Sequence, residues 1–214
     1  MLRPVTTVAL CIALGGCAND QPPDTYVLGR PSSTEAAVET YTDQPVIEVK
    51  PVLVPEYLDV TELLVRYPDN RVAPVPDARW GERLSMGATR SLSLDLARRV
   101  TGVIITATAP TDPSEGQILV EFETFEARAD GVVVLVARWR LLDRRSGDIL
   151  ASERVTLREL YPVPRETAVE GAEVVSAMTR LIQQLADRIA TQIHRSAAQL
   201  SAEPHDVDLA LDDS

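Results

Sequence analysis

The stretch that decides the fold is 117-QILVEFETFEARADGVVVLVARWRLLDRRSGDILASERVTLREL-160. Three strand-like runs, Gln117 to Arg128, Gly131 to Leu142 and Asp148 to Leu160, are separated by Ala129-Asp130-Gly131 and by Arg144-Arg145-Ser146-Gly147. Asp-Gly between alternating runs signals a tight hairpin, because the favoured turns need positive φ at their central residues. An antiparallel three-strand meander follows. In the middle run Leu135, Ala137, Trp139 and Leu141 share one face while Arg138 and Arg140 point the other way, so one face is core and the other is solvated. Val155 and Leu157 hold matching alternate positions in the last run.

Toward the C-terminus the period changes from two to 3.6. Val174, Val175, Met178, Leu181, Ile182, Leu185, Ile189 and Ile193 fall in one arc of a helical wheel, and Glu173, Arg180, Gln183, Gln184, Asp187, Arg188 and Thr191 face away. This helix should pack along the meander. After Arg195, residues 196–214 become an acidic tail, and 201–214 hold five acids and no Lys or Arg, the composition of a solvated, disordered segment.

Toward the N-terminus, Trp80, Leu84, Ala88, Leu92 and Leu96 recur every fourth residue behind Asp77. That spacing predicts a helix capped by Asp77, starting near Ala78 and ending near Arg99-Val100-Thr101-Gly102. Glu62 to Tyr67 and Arg71 to Val75 flank the turn residues Pro68-Asp69-Asn70, a small hairpin. Pro45 to Pro55 is β-branched and alternating, a first strand, and Ala109 to Gly116 is a loop. Residues 17–44 read as a tether with one short strand at Tyr26. The sum is an α+β domain over 45–195, a mixed and mainly antiparallel sheet with two helices packed on it.

Composition narrows function. Of 214 residues 45% are hydrophobic and 25% charged, the globular range, and 21 basic against 32 acidic side chains give a formal charge of -11. Nucleic acid would be repelled by such a surface, so no nucleic-acid partner is expected. Both cysteines, Cys11 and Cys17, lie in the first seventeen residues, leaving the body without a thiol for a disulfide, a metal or a nucleophile.

Residues 1–16 read as a cleaved signal peptide: Arg3, an apolar run from Val5 to Leu14 too short to span a bilayer, then small residues. Leu14-Gly15-Gly16-Cys17 resembles the lipobox of bacterial lipoproteins, whose cysteine becomes the first mature residue and carries acyl chains such as palmitate. Several acyl chains anchor a protein stably, since each buried CH₂ contributes about 0.8 kcal/mol. The resemblance also makes the next residue a sorting signal. Asp there retains a lipoprotein in the inner membrane, and Ala18 implies the outer membrane.

No catalytic constellation is visible: there is no G-x-S-x-G, H-E-x-x-H, C-x-x-C or phosphate-binding glycine loop, so neither an enzyme nor a cofactor or metal site is expected. His194 falls at the predicted helix end and His205 in the acidic tail. Glu121, Glu123 and Glu126 read as the solvated face of a strand, Trp80 and Trp139 as core, and Arg138 and Arg140 as solvated.

Tyr26-Val27-Leu28, Val49 to Asp59, Arg79-Trp80-Gly81-Glu82-Arg83-Leu84 and Gly131 to Trp139, in that order behind the lipobox, resemble the ABC-type transport auxiliary lipoprotein family of PqiC and YmbA. The resemblance spans about Val46 to His194. It departs after Tyr57-Leu58-Asp59, where Val60-Thr61 replace the family's usual Arg-Pro. It implies a fold of the TolB N-terminal and CsgG-like type. It also implies an outer-membrane lipoprotein on the periplasmic face, working with a PqiB-like MCE-domain protein and an inner-membrane transporter on phospholipid or another hydrophobic cargo, and homo-oligomeric rings. The alternative is a structural lipoprotein of another envelope or secretion complex.

Overall fold

The structure, a computed structural model, describes residues 22–29, 44–108, 114–163 and 169–200. The meander forms as the alternation dictates: β6 (Gly116–Arg128), β7 (Val132–Asp143) and β8 (Ile149–Leu160) pair antiparallel in sequence. Gly131 and Gly147 take positive φ in the two turns, 86° and 79°. Val133, Leu135, Ala137, Trp139 and Leu141 are all buried on one face of β7.

β6 does not alternate throughout. Glu123 is an extra residue, a β-bulge between the Phe122–Ala137 and Thr124–Val136 pairs. Ile118, Val120 and Phe122 face the core before it, and Phe125 and Ala127 after it. Phe122 and Phe125 thus meet edge to face, centroids 5.2 Å apart.

On its other side β6 pairs parallel with two strands in succession. β2 (Val46–Val49) runs along its start and β3 (Glu62–Arg66) along its end, with Leu53 bridging to Glu121 between them. A 3₁₀ turn, Glu56–Leu58, carries the chain from one to the other. β5 (Ile104–Thr106) adds parallel to β2, and β1 (Asp24–Tyr26) adds parallel to β4 (Val72–Trp80), the antiparallel partner of β3. The sheet therefore has eight strands among the described residues, with antiparallel pairing in its longest ladders. The α+β expectation holds: α1 (Leu84–Arg99) and α2 (Gly171–Leu200) cover the sheet and touch each other.

Four local expectations are corrected. Asp77 caps nothing. It lies within β4 at φ 53°, where the strand bulges against Leu63 before pairing again at Ala78–Trp80, so Trp80 is a buried strand residue and α1 starts at Leu84. In the stretch read as a tether the short strand expected at Tyr26 forms as β1, but Leu28 beyond it is buried in the core. β5 falls on Ile104–Thr106, a short β-branched run outside every predicted element. The last helix runs past Arg195 to Leu200, whose side chain is buried against Gly116.

The polar side of α2 also does more than meet solvent. Arg180 pairs with Glu159 at 2.6 Å and Arg188 with Glu153 at 2.9 Å, both on β8, while Asp187 pairs with Arg99 of α1. These bridges fix the helix's rotation on the sheet, although burial supplies the larger energy: Leu181, Ile182, Leu185 and Ile189 are wholly buried.

Candidate functional site

Cys17 and Ala18 lie outside the described residues, as does His205. His194 is exposed on α2, more than a turn before the helix end. Three arrangements of the folded domain carry functional interest.

The first is an apolar groove of about 450 Å³ between α1 and β5, lined by Pro51, Met86, Leu94, Ala97 and Ile105 among others. Its origin is the composition of α1. The inward stripe Leu84, Ala88, Leu92, Leu96 is buried, and the outward side carries Met86 and Leu94 where a fully solvated helix would carry charge. Met86 is 60% exposed. One wall is fixed by hydrogen bonds: the Val52 N–H donates to Thr89 Oγ1 at 2.9 Å, and that hydroxyl donates to the Ser85 carbonyl at 2.7 Å. Another is held by Arg90, which donates to Glu82 at 2.6 Å and to the Leu28 carbonyl at 2.8 Å. β5 pairs only with β2 among the described residues, so a strand edge borders the groove.

The second arrangement comes from Val49 to Asp59. Arg83 stands at the α1 N-cap without a side-chain capping bond, and Asp59 serves the first turn from a distance. The Ser85 N–H donates to Asp59 Oδ1 at 2.9 Å and its hydroxyl to Oδ2 at 3.1 Å. Two residues earlier, Tyr57 reaches the opposite way and donates to Glu126 Oε1, an oxygen that also accepts Arg66 Nε at 2.7 Å and Nη2 at 2.5 Å. Burial alone would raise the Glu126 carboxyl, but these three donors outweigh it and hold it below the ordinary carboxylate range. Burial and the Glu126 partner push the Tyr57 hydroxyl up. Glu126 is therefore a buried, ion-paired carboxylate and not the solvated one expected: with Phe125 and Ala127 facing the core it lies on the other face of the sheet, where Tyr57 and Arg66 cover it. The pair Tyr57 and Asp59 thus braces the turn between β2 and β3 against both the sheet and α1.

The third is the outer face of the meander. Glu123 lies between Arg154 at 2.6 Å and Arg138 at 3.0 Å, and the hydrogen bonds from Arg154 lower its carboxyl. Glu121 and Arg140 are exposed beside them, so this face is solvated as expected. Trp80 and Trp139 are both in the core. The described residues hold no cluster of three or more metal-ligating side chains, and none of their helices is long and apolar enough to cross a membrane.

Residues 26–190 match the model of the ABC-type transport auxiliary lipoprotein component. The chain belongs to this family. The match runs from Tyr26, the last residue of β1, to residue 190 within α2 and so includes the meander and the strands and helix before it. Among solved structures, the chain is similar to an uncharacterised protein at 18% identity and TM-score 0.65, covering 81% of this chain and 99% of that one. It is also similar to protein XCC0632 from Xanthomonas campestris at 14% identity and TM-score 0.58, covering 83% and 97%. At such identities the likeness is one of fold. Among curated proteins no sequence matches the chain.

As a member of the ABC-type transport auxiliary lipoproteins, the chain is an accessory component of a transport system in the cell envelope. The motif order that carried the resemblance now has a structural meaning: Tyr26 pairs with Trp80, Val49 to Asp59 ties β2 to α1, and Gly131 to Trp139 is the central strand of the meander. Sequence reasoning missed the groove because one of its walls, β5, is a three-residue strand held in place by pairing with β2. Met86 and Leu94, apolar residues off the four-residue stripe, were the one signal available.

Proposed function

We propose that this lipoprotein is anchored through acyl chains on Cys17 to the periplasmic face of the outer membrane and docks the distal end of an MCE-type transport assembly. The assembly would carry phospholipid or another hydrophobic cargo from an inner-membrane transporter, and this chain would act as a binding subunit and not as an enzyme. The family match carries the reading, and the lipobox with Ala18 supports the location. The α1–β5 groove supports docking, since apolar side chains and a strand edge lie open there. The buried carboxylates support a non-catalytic role: Glu48 is paired with Lys50 at 2.9 Å, Asp95 with Arg99 at 3.0 Å and Glu126 with Arg66 at 2.5 Å, each occupied by structure.

The test is co-isolation from cells that express this chain together with a PqiB-like MCE-domain protein. A photoactivatable residue at Leu94 should cross-link to that protein, and one at exposed Thr156 on β8 should not. Equal yields at both positions, or a product with neither, would remove the groove from the docking role.

A further inference from the structure

The outer face of the meander is basic on a chain that is strongly acidic. Arg138 and Arg154, 58% and 55% exposed, share one carboxylate, Glu123, and Arg140 has no ion pair among the described residues. Arg138, Arg140 and Arg154 line a concavity of about 400 Å³ with Ser152 and two carboxylates, Glu121 and Glu153, and Glu153 is already paired with Arg188 of α2. A solution to this surplus lies in the same chain. α2 ends at Leu200, and the Leu200 carbonyl accepts from Arg145 Nη2 at 3.4 Å, which places the exit of the helix at the hairpin joining β7 to β8. From there 201–214 continue with Glu203, Asp206, Asp208, Asp212 and Asp213 and with no Lys or Arg.

We infer that the acidic segment 201–214 turns round the β7–β8 hairpin and docks on the outer face of the meander against Arg138, Arg140 and Arg154. The reach is ample. Arg140 stands three residues from Asp143 at the end of β7, about 10 Å along the strand, and crossing from the helix layer to the far face adds about 10 Å. Seven extended residues span about 23 Å, so Asp206 and Asp208 arrive at the arginines with residues to spare. The contact is electrostatic and local: the tail brings few apolar side chains, and exposed charges separated by more than a Debye length are screened.

The experiment is disulfide trapping in the full chain with Cys11→Ser and Cys17→Ser, so that an introduced pair is the sole pair of thiols. Asp208→Cys is combined with Ser152→Cys on the outer face or, as control, with Thr191→Cys on the exposed side of α2. The control lies about 14 Å from Leu200, nearer than the target. At 10 mM NaCl the 152–208 pair should oxidise at least about tenfold faster than 191–208. At 0.5 M NaCl, where screening acts within a few ångströms, or with Arg138→Gln and Arg140→Gln, the two rates should come within about twofold. Equal rates at low salt, or a preference for Thr191→Cys, would overturn the inference. So would a preference for position 152 that survives both salt and the arginine substitutions, since that would mean the contact is not made by these charges.

Discussion

The two helices cover the same sheet, yet they are specified in different ways. α2 carries its own instructions: a continuous apolar arc from Val174 to Ile193, about five turns, with Arg180 and Arg188 placed to meet Glu159 and Glu153 of β8. α1 is short of such signals. Its inward stripe is narrow, small residues such as Gly87, Ser91 and Ser93 fill the rest of its buried side, and its first turn is capped by Asp59, 26 residues from Ser85. A helix that depends on its surroundings in this way can leave apolar side chains on its outer surface, and α1 does so at Met86 and Leu94, where the groove forms. α2 is the brace and α1 is the helix that offers a surface.

The contrast is most severely tested at the centre of α2. Leu185→Asp places an unpaired charge at a wholly buried position and should cost several kcal/mol, enough to abolish a cooperative melt by circular dichroism. The same change at Met86 on α1 should shift stability by no more than about 0.5 kcal/mol, because its side chain already meets water. Similar midpoints for the two variants would break the distinction between brace and surface.

A smaller effect distinguishes the caps. Asp59→Ala removes the acceptor for both donors of Ser85 and should cost about 1 kcal/mol, with faster amide exchange in the first turn of α1 and none in α2. Unchanged exchange at Ser85 would show that the remote cap contributes nothing.

The smallest effect is acid sensitivity. Because its donors hold the Glu126 carboxyl below its ordinary value, it contributes stability that is complete above the unfolded glutamate pKa of about 4.3 and is lost as pH falls through the lower folded value. Glu126→Gln should flatten that part of the acid limb while lowering stability at neutral pH. An identical slope in wild type and variant would mean that the pair with Arg66 is not linked to folding.

How far the sequence could be read follows from the same contrast. The meander and α2 are local patterns, a period of two with Asp-Gly and Ser-Gly turns and a period of 3.6, and both form as predicted, α2 extending five residues further because Leu200 finds Gly116. The start of α1 was not legible, since Trp80 fits the four-residue spacing but is held in β4 by pairing with Tyr26, a partner 54 residues away. Glu126 was misread for a similar reason: it is buried by Tyr57 and Arg66, partners 69 and 60 residues away. The groove was illegible because β5 is placed by β2, and a three-residue strand has too little pattern to announce itself. The lipid attachment proposed at Cys17 rests on residues alone, a feature of sequence and not of fold.

That feature also carries the central claim, that this transport auxiliary works from the membrane opposite its transporter. The most direct measurement pairs density-gradient fractionation of envelopes with an envelope-barrier assay for Ala18→Asp, in a strain that depends on this system. The account predicts a lipidated, folded protein in the inner-membrane fraction and a barrier defect close to that of the deletion. Full complementation from the inner membrane would contradict it.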